Sequence, residues 1–175
     1  MVALILVSFS PPKLIKTKVG DGITILVPSG WRPMDNLDFT ERYPSVRAPL
    51  AAYTDEQRLI DLSVNISATQ WPDKDAELAK GFFKASLYNM FDKVDMIQEG
   101  IRESHGKKFI FFEFNSRVNG SRKNEEFKDP VLKYSYVEYY LEKGRTLVFS
   151  FNCPKNQQQA WQETARKMMQ GVQVK

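Results

Sequence analysis

The sequence predicts an α+β domain built on an antiparallel sheet, and three observations carry that prediction. Seven segments alternate apolar and polar residues with the period of a strand. Only two segments, 73–91 and about 156–170, repeat at three and four instead, as an amphipathic helix does. Finally, the strands come in runs joined by short turns rather than alternating strictly with helices. That order gives hairpins and an antiparallel sheet with helices packed on it.

In chain order, "GITILVPSGW" is a short strand, Ile23 to Val27, stopped by Pro28 and the Ser29-Gly30 turn. Residues 31–47 carry two prolines and no steady period, so they read as loop with one helical turn at most. "PLAAYTDEQRLIDLSVNISAT" reads as two strands around "DEQ". In the second of them, Ile60, Leu62, Val64 and Ile66 alternate with Asp61, Ser63 and Asn65, which predicts one dry and one wet face.

The helix over 73–91 takes Asp73 or Asp75 as its N-cap and presents Leu78, Ala79, Phe82, Phe83, Leu87, Met90 and Phe91 as its stripe. Four strands follow, at 94–103, 108–118, 131–142 and 145–152. "SHGK" turns the first pair, the charged "NGSRKNEEFKDP" connects the second strand to the third, and "KG" turns the last pair. The closing helix puts Trp161, Ala165, Met168 and Val172 on one side.

With 175 residues the chain suits one domain with a core of its own. We take 14–175 as that domain. Residues 1–13 open with the apolar run Val2 to Val7, which resembles the later half of an export signal but lacks a basic leader. We read them as a signal-peptide remnant, with an apolar first strand or a flexible tail as the alternative. The run is too short for an integral membrane span, which takes about 20 apolar residues. The formal net charge of +4 is small and scattered, and no base-reading motif accompanies it, which argues against nucleic acid.

One cysteine and one histidine exclude an intrachain disulfide and a four-ligand zinc site. Cys153 stands where a strand gives way to a helix, a common place for a nucleophile. Its only available imidazole, His105, sits at a hairpin tip, and Pro154 removes a backbone donor from the turn. Both residues therefore read as structural, Cys153 as packing and His105 as a solvated turn. Asp35, Asp38 and Glu41 cluster in one loop and Glu125, Glu126 and Asp129 in another. Both loops look solvated, whereas catalytic carboxylates need burial to push their pKa values apart. No glycine-rich phosphate loop is present. The sequence thus offers no catalytic, cofactor-binding or metal-ligating residue.

One feature stands out. Tyr134, Tyr136 and Tyr140 share a strand face with Glu138 and Glu142, while Phe109 and Phe111 share a parity with Glu113 on the neighbouring strand. Both faces of the sheet are aromatic. Either helices cover both sides, or Tyr134, Tyr136, Tyr140, Phe109 and Phe111 form an amphipathic surface open to a protein partner.

Several stretches resemble PsbP-like domains. "GITILVPSGW" is similar to the opening of that family, "AELAKGFFKASLYNMF" to its first long helix, and "ESHGKKFIFFEFNSRVNG" to its turn and long strand. "YYLEKGRTLVFSFNCPKNQQQAWQETARKMMQGVQV" resembles its ending. The resemblance implies an α/β/α sandwich with a central antiparallel β-sheet flanked by helices. It also implies a non-enzymatic habit of binding proteins, as in the photosystem II extrinsic subunit, a nuclear Ran-binding protein, bacterial envelope proteins and secretion chaperones. The expectation is an accessory protein-binding domain of the periplasm or cell envelope, without cofactor. The alternative is a cytoplasmic chaperone that cradles an apolar segment of a secreted effector.

Overall fold

The computed structural model describes residues 11–20, 22–42, 48–72, 75–119 and 129–175. The elements run β1 (Leu14–Val19), β2 (Ile23–Pro28), β3 (Arg32–Pro33), α1 (Asn36–Arg42), β4 (Ala51–Thr54), β5 (Asp61–Ile66), α2 (Ala76–Met90) and β6 (Lys93–Ser104). They continue with β7 (Lys107–Val118), β8 (Val131–Glu142), β9 (Arg145–Pro154), a 3-10 turn (Lys155–Gln157), α3 (Gln158–Gln170) and β10 (Gln173–Val174). A seven-stranded sheet in the order β3-β4-β5-β9-β8-β7-β6 is antiparallel throughout. A smaller sheet, β1-β2-β10, is not hydrogen-bonded to it but packs against it through β2.

Alternation along the long strands sorts the interior into two clusters, one on each side of the large sheet. On the first side, Phe109, Tyr134, Tyr136, Leu147, Phe149, Phe151 and Leu62 meet Ile23, Ile25 and Val27 of β2, and Trp161, Ala165, Met168 and Met169 of α3. On the second, Ile110, Phe112, Phe114, Val137, Tyr139 and Leu141 meet Ala76, Ala79, Phe83 and Leu87 of α2. Phe83 lies flat on Tyr139, with ring centroids 3.9 Å apart. Helices on both faces of an antiparallel sheet make the α/β/α sandwich. Each buried Phe, Leu or Met contributes about 1.5–3 kcal/mol, so the two faces carry most of the stability.

The strand limits match the alternation closely, and the hairpin tip behaves as its residues require. His105 and Gly106 both have positive φ, 52° and 72°, the two-residue turn whose twist suits a hairpin. Four details differ. The segment before Ile23 is itself a strand, β1, because it pairs along the whole of β2. The segment after Trp31 holds β3 and the two-turn helix α1 where loop was expected. Ser63 is buried although it stands on the side of β5 expected to be wet.

The fourth is the outward turn of part of the α2 stripe. Ala79, Phe83 and Leu87 point inward, whereas Leu78, Phe82 and Met90 are exposed. A residue steps about 100° round a helix, so Leu78 and Phe82 sit beside the buried line rather than on it. Asp75 is the N-cap of α2, but its side chain makes no capping hydrogen bond.

Gly171 closes α3, donating its N–H to the Lys167 carbonyl at 3.1 Å. A Cβ there would stand 2.2 Å from Cδ1 and 2.8 Å from Cγ of Leu26 on β2. Gly171→Ala therefore forces α3 and β2 apart. The expected cost is about 1–3 kcal/mol in urea denaturation, and an unchanged midpoint would refute this close packing.

Candidate functional site

The aromatic surface expected to be open is interior, and this corrects the reading of its residues as a docking face. Tyr134, Tyr136, Tyr140 and Phe109 are 0%, 2%, 8% and 1% exposed, and Phe111 is packed against the same cluster. The cause is α3 with β2, which lie over this face and seal it. Burial pushes the Tyr134 and Tyr136 hydroxyls far above the ordinary tyrosine range. A client could not be cradled there without displacing α3.

Two carboxylates are sealed in with the rings. Glu113, on β7, is fully buried. It accepts hydrogen bonds from Tyr134 Oη at 3.0 Å, Gln162 Nε2 at 2.5 Å, Arg166 Nε at 3.0 Å and Gln98 Nε2. Burial pushes this carboxyl up, but the bonds from Arg166, Gln162, Gln98 and Tyr134 together hold it below its ordinary value.

Glu138, on β8, is also fully buried and takes a two-pronged ion pair from Arg102, at 2.8 Å to Nε and 2.7 Å to Nη2. The same guanidinium donates to the Met169 carbonyl of α3 at 2.8 Å and lies 4.5 Å from the centre of the Phe109 ring. Here burial outweighs Arg102, and the Glu138 carboxyl is raised. Both carboxylates are committed to fastening α3 to the sheet.

In the Asp35, Asp38 and Glu41 cluster, Asp35 and Glu41 are exposed as expected, but Asp38 is not. Asp38 is fully buried in α1, between Arg32 Nη1 at 2.7 Å and Arg58 Nε at 2.6 Å, and it also accepts the Asp35 N–H at 3.1 Å. Arg58 reaches on to Glu41 at 2.7 Å. Burial raises this carboxyl, yet the bonds from Arg32, Asp35 and Arg58 hold it far below the ordinary range. Glu125 and Glu126 lie outside the described residues, and Asp129 is exposed.

Cys153 is 1% exposed on the sealed face, and burial pushes its thiol up to about 12, so it is not poised as a nucleophile. His105 sits at the β6–β7 tip, while Cys153 pairs with Tyr134 toward the other end of β8. Among the described residues, no group of three or more His, Cys, Asp and Glu could hold a metal ion, and no helix is long and apolar enough to cross a membrane.

Among the described residues, two outward-facing features combine aromatic rings with exposure or a cleft. Leu78 and Phe82 make an apolar strip along the outer side of α2, and Phe82 leans on Trp71 with ring centroids 5.2 Å apart. On the other side of the sheet, a cleft is lined by Trp31, Trp161, Asp55 and Glu56 among others. Sequence reading left both unassigned. The amphipathic stripe hid the strip, and the two tryptophans of the cleft are 130 positions apart in the chain.

No protein-family model matches the chain, and no curated protein sequence matches it. Solved structures do. The solution structure of cyanobacterial PsbP from Synechocystis sp. PCC 6803 is similar at a TM-score of 0.62 and 15% identity, covering 96% of each chain. The Saccharomyces cerevisiae Ran-binding protein Mog1p is similar at 0.55 and 14%, over 93% of this chain and 96% of that one. LpqN, involved in cell envelope biogenesis of Mycobacterium tuberculosis, is similar at 0.52 and 13%, over 93% and 91%. At such identities the likeness is one of fold, and the fold is PsbP-like.

The lowered carboxyls of Asp38 and Glu113 favour the fold above acid pH, while the raised Glu138 carboxyl acts in the opposite sense. A group whose pKa is lower folded than unfolded stabilises above its unfolded value, near 4, and the stabilisation is lost as pH falls through the folded value. In urea midpoints the Asp38 and Glu113 contributions should therefore be lost below about pH 5, whereas protonation of Glu138 works against that loss. Asp38→Asn should lose about 1–2 kcal/mol at pH 7, since the arginines it releases remain partly solvated, and show a shallower acid decline. An acid decline as steep as the parent's would remove Asp38 from this account.

Proposed function

We propose that this domain is a non-catalytic protein-binding factor, exported to the periplasm or cell envelope of a bacterium and serving there as an accessory or assembly component. The observation that carries the reading is the strip on α2. Leu78 and Phe82 are 66% and 43% exposed on a helix whose other side is fully used in the core. Apolar side chains aligned on the outer face of a well-anchored helix suit an apolar segment of another protein.

The groups that could have carried chemistry support the same reading. Asp38, Glu113 and Glu138 hold arginines and Cys153 is packed away. The structural neighbours agree in kind: one binds Ran and another takes part in envelope biogenesis. The chaperone alternative has no exposed aromatic sheet face to draw on, since α3 and β2 occupy it.

Phe82→Asp tests the strip. The site is exposed, so the variant should fold with stability within about 0.5 kcal/mol of the parent. It should fail to hold the partner that crosslinks to the parent domain in envelope extracts. Retention of that partner by the folded variant would overturn the α2 assignment. Export has its own test, the intact mass of protein from separated cytosolic and envelope fractions. Loss of about the first ten residues in the envelope fraction is the expected result, and a full-length cytosolic chain would overturn the envelope role.

A further inference from the structure

We propose that the small sheet carries the face with which this domain rests on an anionic phospholipid bilayer. Its carriers are Lys16 and Lys18 of β1 and Lys175 just beyond β10. The inference stands apart from the α2 strip, and the envelope reading adds only that a bilayer is at hand.

The charge of the chain is concentrated in this corner. Residues 11–28 and 167–175 hold five of the 25 basic residues, Lys13, Lys16, Lys18, Lys167 and Lys175, and one of the 21 acidic ones, Asp21. The rest of the chain then holds 20 of each sign, so the whole net charge of +4 comes from these two segments. The fold brings them together: β1 and β10 both pair with β2, and Gly171, which closes α3, abuts Leu26 of β2.

Strand register puts the lysines on one side. Val19, Ile23, Ile25 and Val27 point into the core, so the residues between them point out. Lys16 stands opposite Leu26, and Lys18 opposite Thr24, whose other neighbour is Gln173. Lys175 continues the pattern. Its N–H donates to the Gly22 carbonyl at 2.9 Å, and a Cβ on Gly22 would stand 3.3 Å from the Lys175 Cβ. All three lysines are exposed, as are Lys13 before β1 and Lys167 on α3. Among the described residues, none of the five lies in an ion pair, and Glu163 of α3 is held by Arg166. Asp21 lies outside the described residues.

Such a face needs an anion, and what it lacks gives the class. It carries Lys16, Lys18, Thr24, Leu26, Gln173 and Lys175, with neither the arginine nor the aromatic ring that anchors a specific protein interface. An ammonium on a flexible stem is a point charge, without the planar fork that reads a single carboxylate. Lysines of this kind suit a diffuse plane of lipid phosphates, where each raises affinity about fivefold.

The test sediments the full chain with vesicles of phosphatidylcholine alone and with vesicles containing about 30% phosphatidylglycerol, at about 0.1 M and about 0.5 M salt. Association is expected with the phosphatidylglycerol vesicles, at the lower salt only. Lys16→Gln combined with Lys18→Gln, both exposed and checked by an unchanged thermal midpoint, should weaken it about 25-fold. The corresponding Lys→Arg pair should restore it.

No association with the anionic vesicles, or association unchanged in the Gln pair, would overturn the proposal. Equal association with neutral vesicles would also overturn it, since an apolar contact such as Val2 to Val7 makes no distinction between the lipids. Binding of a hexaglutamate peptide without binding to the vesicles would overturn it in favour of an acidic protein. None of these results touches the α2 strip, because neither lysine lies on α2 and Phe82→Asp leaves both in place.

Discussion

The arrangement of this domain depends on placing two carboxylates, Glu113 and Glu138, in the middle of an aromatic sheet face. A bare carboxylate there would cost several kcal/mol or neutralise itself. Each is therefore met by an arginine, Arg166 from α3 and Arg102 from β6, and Arg102 also holds the Met169 carbonyl of α3. These bonds have direction, whereas the contacts of Phe109 and Met168 do not. Apolar burial makes α3 stay on the sheet, and the two ion pairs set where along the sheet it lies. Removing one partner of such a pair would leave a charge buried, which costs more than the pair itself contributes.

That constraint also explains which parts of the molecule were legible in the sequence. The strands were, because alternation depends only on one side chain pointing up and the next down. β8 begins and ends where the sequence placed it, and β7 within one residue. The closing helix was legible for the same local reason: Trp161, Ala165, Met168 and Val172 are all buried. Face membership was legible too, since Glu113 and Glu138 do share a side with Tyr134 and Phe109.

What covers a face was not. A tyrosine strip beneath a helix and one open to a partner have the same parity and composition, and only the distant α3 and β2 distinguish them. Asp38 makes the same point. In the sequence it is one acid among three in a polar loop, and its burial depends on Arg58, 20 positions away. α1 was underestimated because Pro33 and Pro44 flank it and its seven residues are too few to show a period.

The two outward features stand on opposite sides of the large sheet. The α2 strip belongs to the side of Phe83 and Tyr139, and the Trp31–Trp161 cleft to the side of Phe151. They share no side chain and are separated by the sheet itself, so each is expected to contribute independently. Their chemistry differs as well. An apolar strip supplies area without much selectivity, while the cleft is lined by both indoles and carboxylates. The buried Arg–Glu pairs keep α3, and with it Trp161, fixed relative to the sheet on which α2 rests.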